Sequence, residues 1–198
     1  TKRLLSFSII LLALMYNASA DDSSWVSHEL DVALFPQDGE IQVTDRIVLS
    51  KKVTTSPEFL LSGNMDIEVS HGKLQLVSGS RESGLKKYRV LFPHPMHEFT
   101  IKYNGTVSHN GITYMSGMPS AYLDHDGVYL DNASAWYPDF RQPISEFVLN
   151  VTAPSDWEVI SQGRRETLRA STRWTSNKPQ WEIYLVGGRF KRFARKHG

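Results

Sequence analysis

The 198-residue chain contains no cysteine. No disulfide can form, and lipid attachment to a cysteine after a leader is excluded. A secreted domain of roughly 180 residues then has to stand on its hydrophobic core alone, which is feasible at that size. Excess charge is also missing: 22 Lys and Arg face 21 Asp and Glu, for a net charge of +1. That balance gives no global pull toward nucleic acid. No nucleophile elbow, phosphate-cradling glycine loop or dinucleotide fingerprint occurs. No segment beyond the first twenty residues carries a helical stripe.

Lys2 and Arg3 precede an apolar run from Leu4 to Tyr16, and Ala18-Ser19-Ala20 follows as a small-x-small cleavage signal before Asp21. This is the pattern of a secretory signal peptide. The run is about 13 residues, short of the roughly 20 that span a bilayer. The expected organisation is a signal-peptide helix over 1–20, a β-sandwich over 21–188 and, over 189–198, a basic tail or the first residues of a further domain. The tail carries Arg189, Lys191, Arg192, Arg195 and Lys196. Export is expected, to the periplasm if the source is bacterial, with no stable membrane span after cleavage. The lack of cysteine fits a bacterial periplasm better than an animal secretory route.

Period-two alternation dominates the rest. Leu30, Val32 and Leu34 alternate, the turn "PQDGE" follows, and Ile41, Val43, Ile47 and Leu49 alternate again. Two such runs around a short turn predict a β-hairpin. Asp45 shares the apolar face of the second run, which suggests a strand edge. Further runs contain Met65, Ile67 and Val69; Leu74 and Leu76; Tyr88, Val90 and Phe92; Phe99, Ile101 and Tyr103. After them come Phe147, Leu149 and Val151; Trp157 and Val159; Trp181, Ile183 and Leu185. Turn residues separate the runs at roughly 8–12 residue spacing, which predicts an all-β antiparallel sandwich.

Chemistry is sparse. His94 and His97 sit in "FPHPMHEF" as His-x-x-His-Glu, flanked by prolines. The zinc-protease pattern is His-Glu-x-x-His on a helix, so exposed turn histidines are expected here. Asp124, His125 and Asp126 in "YLDHDGVYL" offer either a carboxylate–imidazole cluster or an Asp-Gly hairpin turn.

Three stretches carry a resemblance. "SHELDVALFPQDGEIQVTDRIVL" resembles the opening of the N-terminal saddle domain of family M1 zinc aminopeptidases. "FVLNVTAPSDWEVISQGRR" is similar to that family's central strand, and "WEIYLVGGRFKRF" to the strand leading into its catalytic domain. In order, they span about Ser27 to Phe193. The chain departs from the family where a Pro-Cys-Phe-Asp-Glu-Pro segment is usual; "VYLDNASAWYPDFRQP" stands there instead. His-Glu-x-x-His and Gly-x-Met-x-Asn are absent, so the family's zinc is expected only in a catalytic domain beyond this chain.

The resemblance implies the non-catalytic N-terminal domain of a secreted M1-like aminopeptidase, inactive alone, with its own catalytic domain as partner. It implies that Tyr129, Asp131, Asn132, Trp136 and Tyr137 lie at the substrate cleft or an interdomain contact. The alternative for the same residues is packing and turn-capping within the sandwich. The alternative for the whole chain is a complete non-enzymatic periplasmic β-sandwich that binds a peptide, protein or carbohydrate partner.

Overall fold

Ten residues from Val26 to Phe35 form β1 and ten from Glu40 to Leu49 form β2. They pair antiparallel in unbroken register from Val26↔Leu49 to Phe35↔Glu40. Their even- and odd-numbered apolar side chains point to one dry face while Glu29, Asp31, Gln42 and Arg46 stay wet. A pleated strand with one buried face produces this alternation.

The computed structural model describes residues 24–50, 56–79, 84–107, 121–191 and 193. The expected signal-peptide helix lies outside those residues. The remaining strands are β3 (Glu58–Ser62), β4 (Met65–Val69), β5 (Lys73–Gly79), β6 (Leu85–Leu91) and β7 (Glu98–Thr106). After them come β8 (Ala121–Leu123), β9 (Gly127–Leu130), β10 (Ile144–Thr152), β11 (Glu158–Ile160), β12 (Arg164–Thr167), β13 (Thr172–Ser176) and β14 (Leu185–Gly188). One 3-10 turn, Asn132–Ser134, interrupts them, and no α-helix occurs among the described residues.

The strands make three sheets. The largest runs β12-β13-β10-β1-β2-β7-β4, the second β11-β14-β9-β8, and the third β3-β6-β5. Their inner faces contribute to one apolar core, with Leu30, Ile41, Ile47, Leu61, Ile101, Leu130 and Leu149 fully enclosed. The molecule is an all-β sandwich. One pairing differs from the antiparallel expectation: β1 and β10 run parallel, from Val26↔Ile144 to Ala33↔Thr152. Parallel neighbours need a long crossover, and here the chain between them builds β2, β4 and β7, the three-stranded sheet, and β8 and β9 of the four-stranded one before returning.

Two expectations are corrected. Asp45 is not at an edge: β2 lies between β1 and β7, and the residue is fully buried in the sheet interior. The run Trp181–Leu185 is not one strand. Trp181 is 74% exposed, and β14 begins only at Leu185. The intervening backbone is held by side chains in place of a ladder. Ser161 Oγ donates to Tyr184 O at 2.6 Å, Tyr184 N–H donates to Gln162 Oε1 at 3.2 Å, and Gln162 Nε2 donates to Glu182 O.

Burial sets the expected response to truncation. Leu30→Ala, in the middle of the β1–β2 and β1–β10 pairings, is expected to cost about 2–5 kcal/mol in urea unfolding. Leu76→Ala, on the outer strand β5 and 55% exposed, is expected to change stability by about 0.5 kcal/mol or less. Equal losses at the two sites would contradict the layering.

Candidate functional site

The segment Asp131–Arg141 is the point at which all three sheets meet. Chain leaving β9 enters the 3-10 turn through Asp131, whose extended backbone and Oδ1 cap the Ser134 N–H at 3.2 Å. Ser134 Oγ donates back to Asp131 O at 2.5 Å. Such reciprocal bonds satisfy backbone groups that a short turn leaves open. Ala135 then adopts a left-handed conformation, φ 42° and ψ 49°, and reverses the chain. Its carbonyl accepts the Ser62 N–H at 2.9 Å, and Asp139 exchanges two backbone bonds with Leu60 at 2.9 Å each. The corner is thereby tied to β3.

Trp136 and Tyr137 tie it to the chain before β14. Trp136 Nε1 donates to Ile183 O at 3.0 Å, and Ile183 N–H donates to the Tyr137 hydroxyl at 3.2 Å. Both backbone groups of Ile183 are thus held by adjacent aromatic side chains. The Tyr137 hydroxyl donates in turn to Asn132 Oδ1 at 3.2 Å. The two rings meet edge to face at 5.2 Å, and Tyr137 meets the His28 ring of β1 at 5.4 Å. Burial drives the Tyr137 phenol well above its ordinary range, since an anion there would lose its water.

The structure therefore separates the sequence candidates. Trp136 and Tyr137 are 0% and 2% exposed and point into the core. They present no face to a missing neighbour, because their polar atoms are committed to Ile183 and Asn132. Asp131 is buried as the cap, Asn132 is half-buried, and Tyr129 is half-buried on the other side of the sheet.

Tyr129 belongs to a different surface. The register of the four-stranded sheet sets Tyr122 opposite Tyr129, Tyr129 opposite Val186, and Val186 opposite Ile160. Antiparallel partners share a face, so these four form a row across every strand of that sheet. Tyr122 is 39% and Ile160 46% exposed, and the two tyrosine rings stack at 6.3 Å. Tyr129 also donates to Asp131 Oδ2 at 3.4 Å, and burial followed by Asp131 raises its phenol. Gly187 lies on the opposite, inner face between its partners Val128 and Val159, where a Cβ would come within 2.9 Å of Val128 and 3.0 Å of Val159. Beyond β14, Phe190 lies over Gly188, and Arg189 bridges Asp156 Oδ2 at 2.6 Å and His125 O at 3.0 Å. Sequence reading missed Tyr122, Ile160 and Val186 because their row exists only in the register between strands of three or four residues.

The wet face of the seven-stranded sheet contrasts with this. Arg173, Asn150, Asp31, Thr44, Lys102 and Glu68 are successive cross-strand partners on it. Arg173 Nε donates to Asn150 Oδ1 at 2.7 Å and Asn150 Nδ2 to Asp31 Oδ1 at 2.8 Å, so these polar groups are matched by their own neighbours.

For metal, Asp124, His125 and Asp126 are the one group of three donors close enough among the described residues, and all are exposed. Asp124 Oδ1 accepts the Asp126 and Gly127 N–H groups at 2.9 and 3.2 Å, as an Asp-Gly turn requires. His94 and His97 are exposed between β6 and β7. These residues do not fit a catalytic zinc, which takes three converging protein donors fixed by further hydrogen bonds.

No family model and no curated protein sequence matches the chain. Solved structures do. Yeast leukotriene A4 hydrolase in complex with bestatin superposes with a TM-score of 0.59 at 14% identity, over 84% of this chain and 29% of that one. A mutant M1 zinc metallopeptidase from Deinococcus radiodurans gives 0.55 at 15% identity, over 84% of this chain and 42% of that one. The same kind of mutant with a Tyr-Ser-Ala substrate gives 0.53 at 16%, over 84% and 43%. The fold is one found in M1 metallopeptidases. The match spans 29% to 43% of the length of those structures.

Side-chain commitments at the corner fix the expected effect of mutation there. Trp136→Ala is expected to cost about 3–5 kcal/mol, the range for removing an enclosed aromatic. Tyr137→Phe keeps the ring but strands the Ile183 N–H, for about 1–3 kcal/mol. Denaturant unfolding of both variants measures this, and a Trp136→Ala protein as stable as wild type would show that the ring is not a core residue.

Proposed function

We propose that this chain is the N-terminal, non-catalytic domain of a secreted M1-like zinc aminopeptidase. The carrying observation is the fold likeness over 84% of this chain to M1 enzymes of which it covers only 29% and 42%. In this reading the hydrolytic zinc and its ligands belong to a catalytic domain that follows in the same polypeptide. Among the described residues the one three-donor group, Asp124, His125 and Asp126, is an exposed turn, and in this reading the chain by itself does not cleave peptides. The open row of Tyr122, Tyr129, Val186 and Ile160 suits the contact with that domain. An apolar patch rimmed by charged groups is the usual anatomy of an interface. Asp131, which accepts the Tyr129 hydroxyl, and Asn132 follow β9 beside the row, where a cleft between the two domains would open. The leader directs export and is removed before Asp21, to the periplasm if the source is bacterial.

The coding DNA beyond the Gly198 codon decides the main point. An open frame with His-Glu-x-x-His within the next couple of hundred codons is the expected result. A stop codon with no such motif in any frame would leave a stand-alone binding module as the better reading. On the isolated chain, Tyr122→Lys combined with Ile160→Lys is expected to reduce self-association in sedimentation while leaving the unfolding midpoint nearly unchanged. Mass spectrometry of the exported protein is expected to start at Asp21; a retained Lys2 would refute cleavage.

A further inference from the structure

His28 on β1 and Asp45 on β2 have no part in the reading above. Their side chains are 1% and 0% exposed, and His28 Nδ1 lies 2.8 Å from Asp45 Oδ2. The second carboxylate oxygen, Oδ1, and the hydroxyl of Tyr103 on β7 are both buried with no hydrogen-bond partner. Buried polar groups are nearly always paired, so a cluster of this kind calls for a reason.

The charges around the pair are few. β2 supplies Asp45, β7 supplies Tyr103, and the corner supplies Tyr137 with the ring of Phe140 behind it. Asp139, Glu182 and Asp45 itself all act electrostatically on Tyr137. The register partners of His28 are Ile47 and Phe147, and those of Asp45 are Leu30 and Ile101, none of them titratable. No basic group besides His28 faces the carboxylate among the described residues. Arg46 and Glu29 are paired with each other on the opposite, wet face.

We propose that the His28–Asp45 pair is a proton-linked latch: the fold holds one proton between these two residues, and losing it loosens the Tyr137 corner. A lone carboxylate without water or a cation is strongly disfavoured in an apolar interior. One proton makes the pair neutral overall, whether it resides on the imidazole or on the carboxyl. The folded chain therefore keeps that proton beyond the pH at which an unfolded chain gives it up.

The sign follows from counting protons. In the unfolded chain Asp releases its proton near pH 3.9 and His near 6.5. Between those values both states hold one proton and stability is level. Above about 6.5 the unfolded state holds none and the folded state one, so stability falls as pH rises. Burial, only partly offset by His28, pushes the Asp45 carboxyl up. The charge that appears on deprotonation lies beside Tyr103 and Tyr137, whose own phenols burial and Asp45 already hold high. Tyr137 is the residue that holds Ile183 and Asn132, so the strain reaches the corner first.

Urea unfolding of the full chain from pH 5 to 9, followed by tryptophan fluorescence, tests this. The unfolding constant is expected to be flat near pH 5–6 and to rise toward tenfold per pH unit above 7. Asp45→Asn retains an oxygen for the His28 Nδ1–H without a charge and is expected to lose that dependence. Should Asp45→Asn fail to fold, refolding of the wild type in weakly buffered solution at pH 8 is expected to take up about one proton per chain, and a His28→Leu/Asp45→Leu double variant, which removes both titrating groups, none. A flat wild-type profile, the same slope in Asp45→Asn, or no proton uptake at pH 8 would each overturn the latch.

Discussion

Two side-chain hydrogen bonds to one residue hold this sandwich closed. Ile183 lies outside any ladder, yet Trp136 takes its carbonyl and Tyr137 its amide. An unpaired backbone group in a dry interior costs as much as a lost hydrogen bond, so the chain before β14 has to find partners or leave the core. The two aromatics supply them from the segment that also bonds Ser62 and Leu60 of the three-stranded sheet. Through the Tyr137 ring the same segment rests on His28 of the seven-stranded sheet. Loss of either bond would free β14, and with it the centre of the four-stranded sheet.

That constraint also decides which residues are left for function. Trp136 and Tyr137 are used up in closing the core. Tyr122, Tyr129, Val186 and Ile160 are not, because the pleat of the four-stranded sheet turns them outward while Leu123, Val128, Leu130 and Val159 turn in. The seven-stranded sheet has an outward face too, but its charges answer each other: Arg46 pairs with Glu29 and Glu98, and Arg173 with Asn150. A surface whose polar groups are mutually satisfied gains little from a partner, whereas an apolar row gains from leaving water. The four-stranded face is thus the one suited to a second domain.

The parts of the fold legible in the sequence are those where one strand face is wet. β1, β2, β7 and β10 alternate cleanly, and the Asp-Gly turn between β8 and β9 is signalled by its own chemistry. β12 and β13 were not legible: Arg164, Arg165 and Glu166 form an edge strand that buries almost nothing, and Trp174 is the single fully buried residue of β13. β3, "EFLLS", buries Phe59 and Leu61 in alternation, but Leu60 between them is apolar as well, which hides period two. Asp45 misled for a related reason. A carboxylate on a dry face reads as an edge unless its partner is known, and His28 stands 17 positions earlier. At the candidate site, the proline and aromatic content of "AWYPDF" marked a corner, but only contacts across 47 residues show that Trp136 faces inward.

The most direct test of the domain reading is hydrogen exchange compared between this chain alone and a longer polypeptide in which a zinc-bearing catalytic domain follows it. The account predicts slower exchange and reduced labelling at Tyr122, Tyr129, Ile160 and Val186 in the longer polypeptide, with Lys102, Asn104 and Asn150 unchanged. Protection confined to the seven-stranded face, or none on either face, would contradict it.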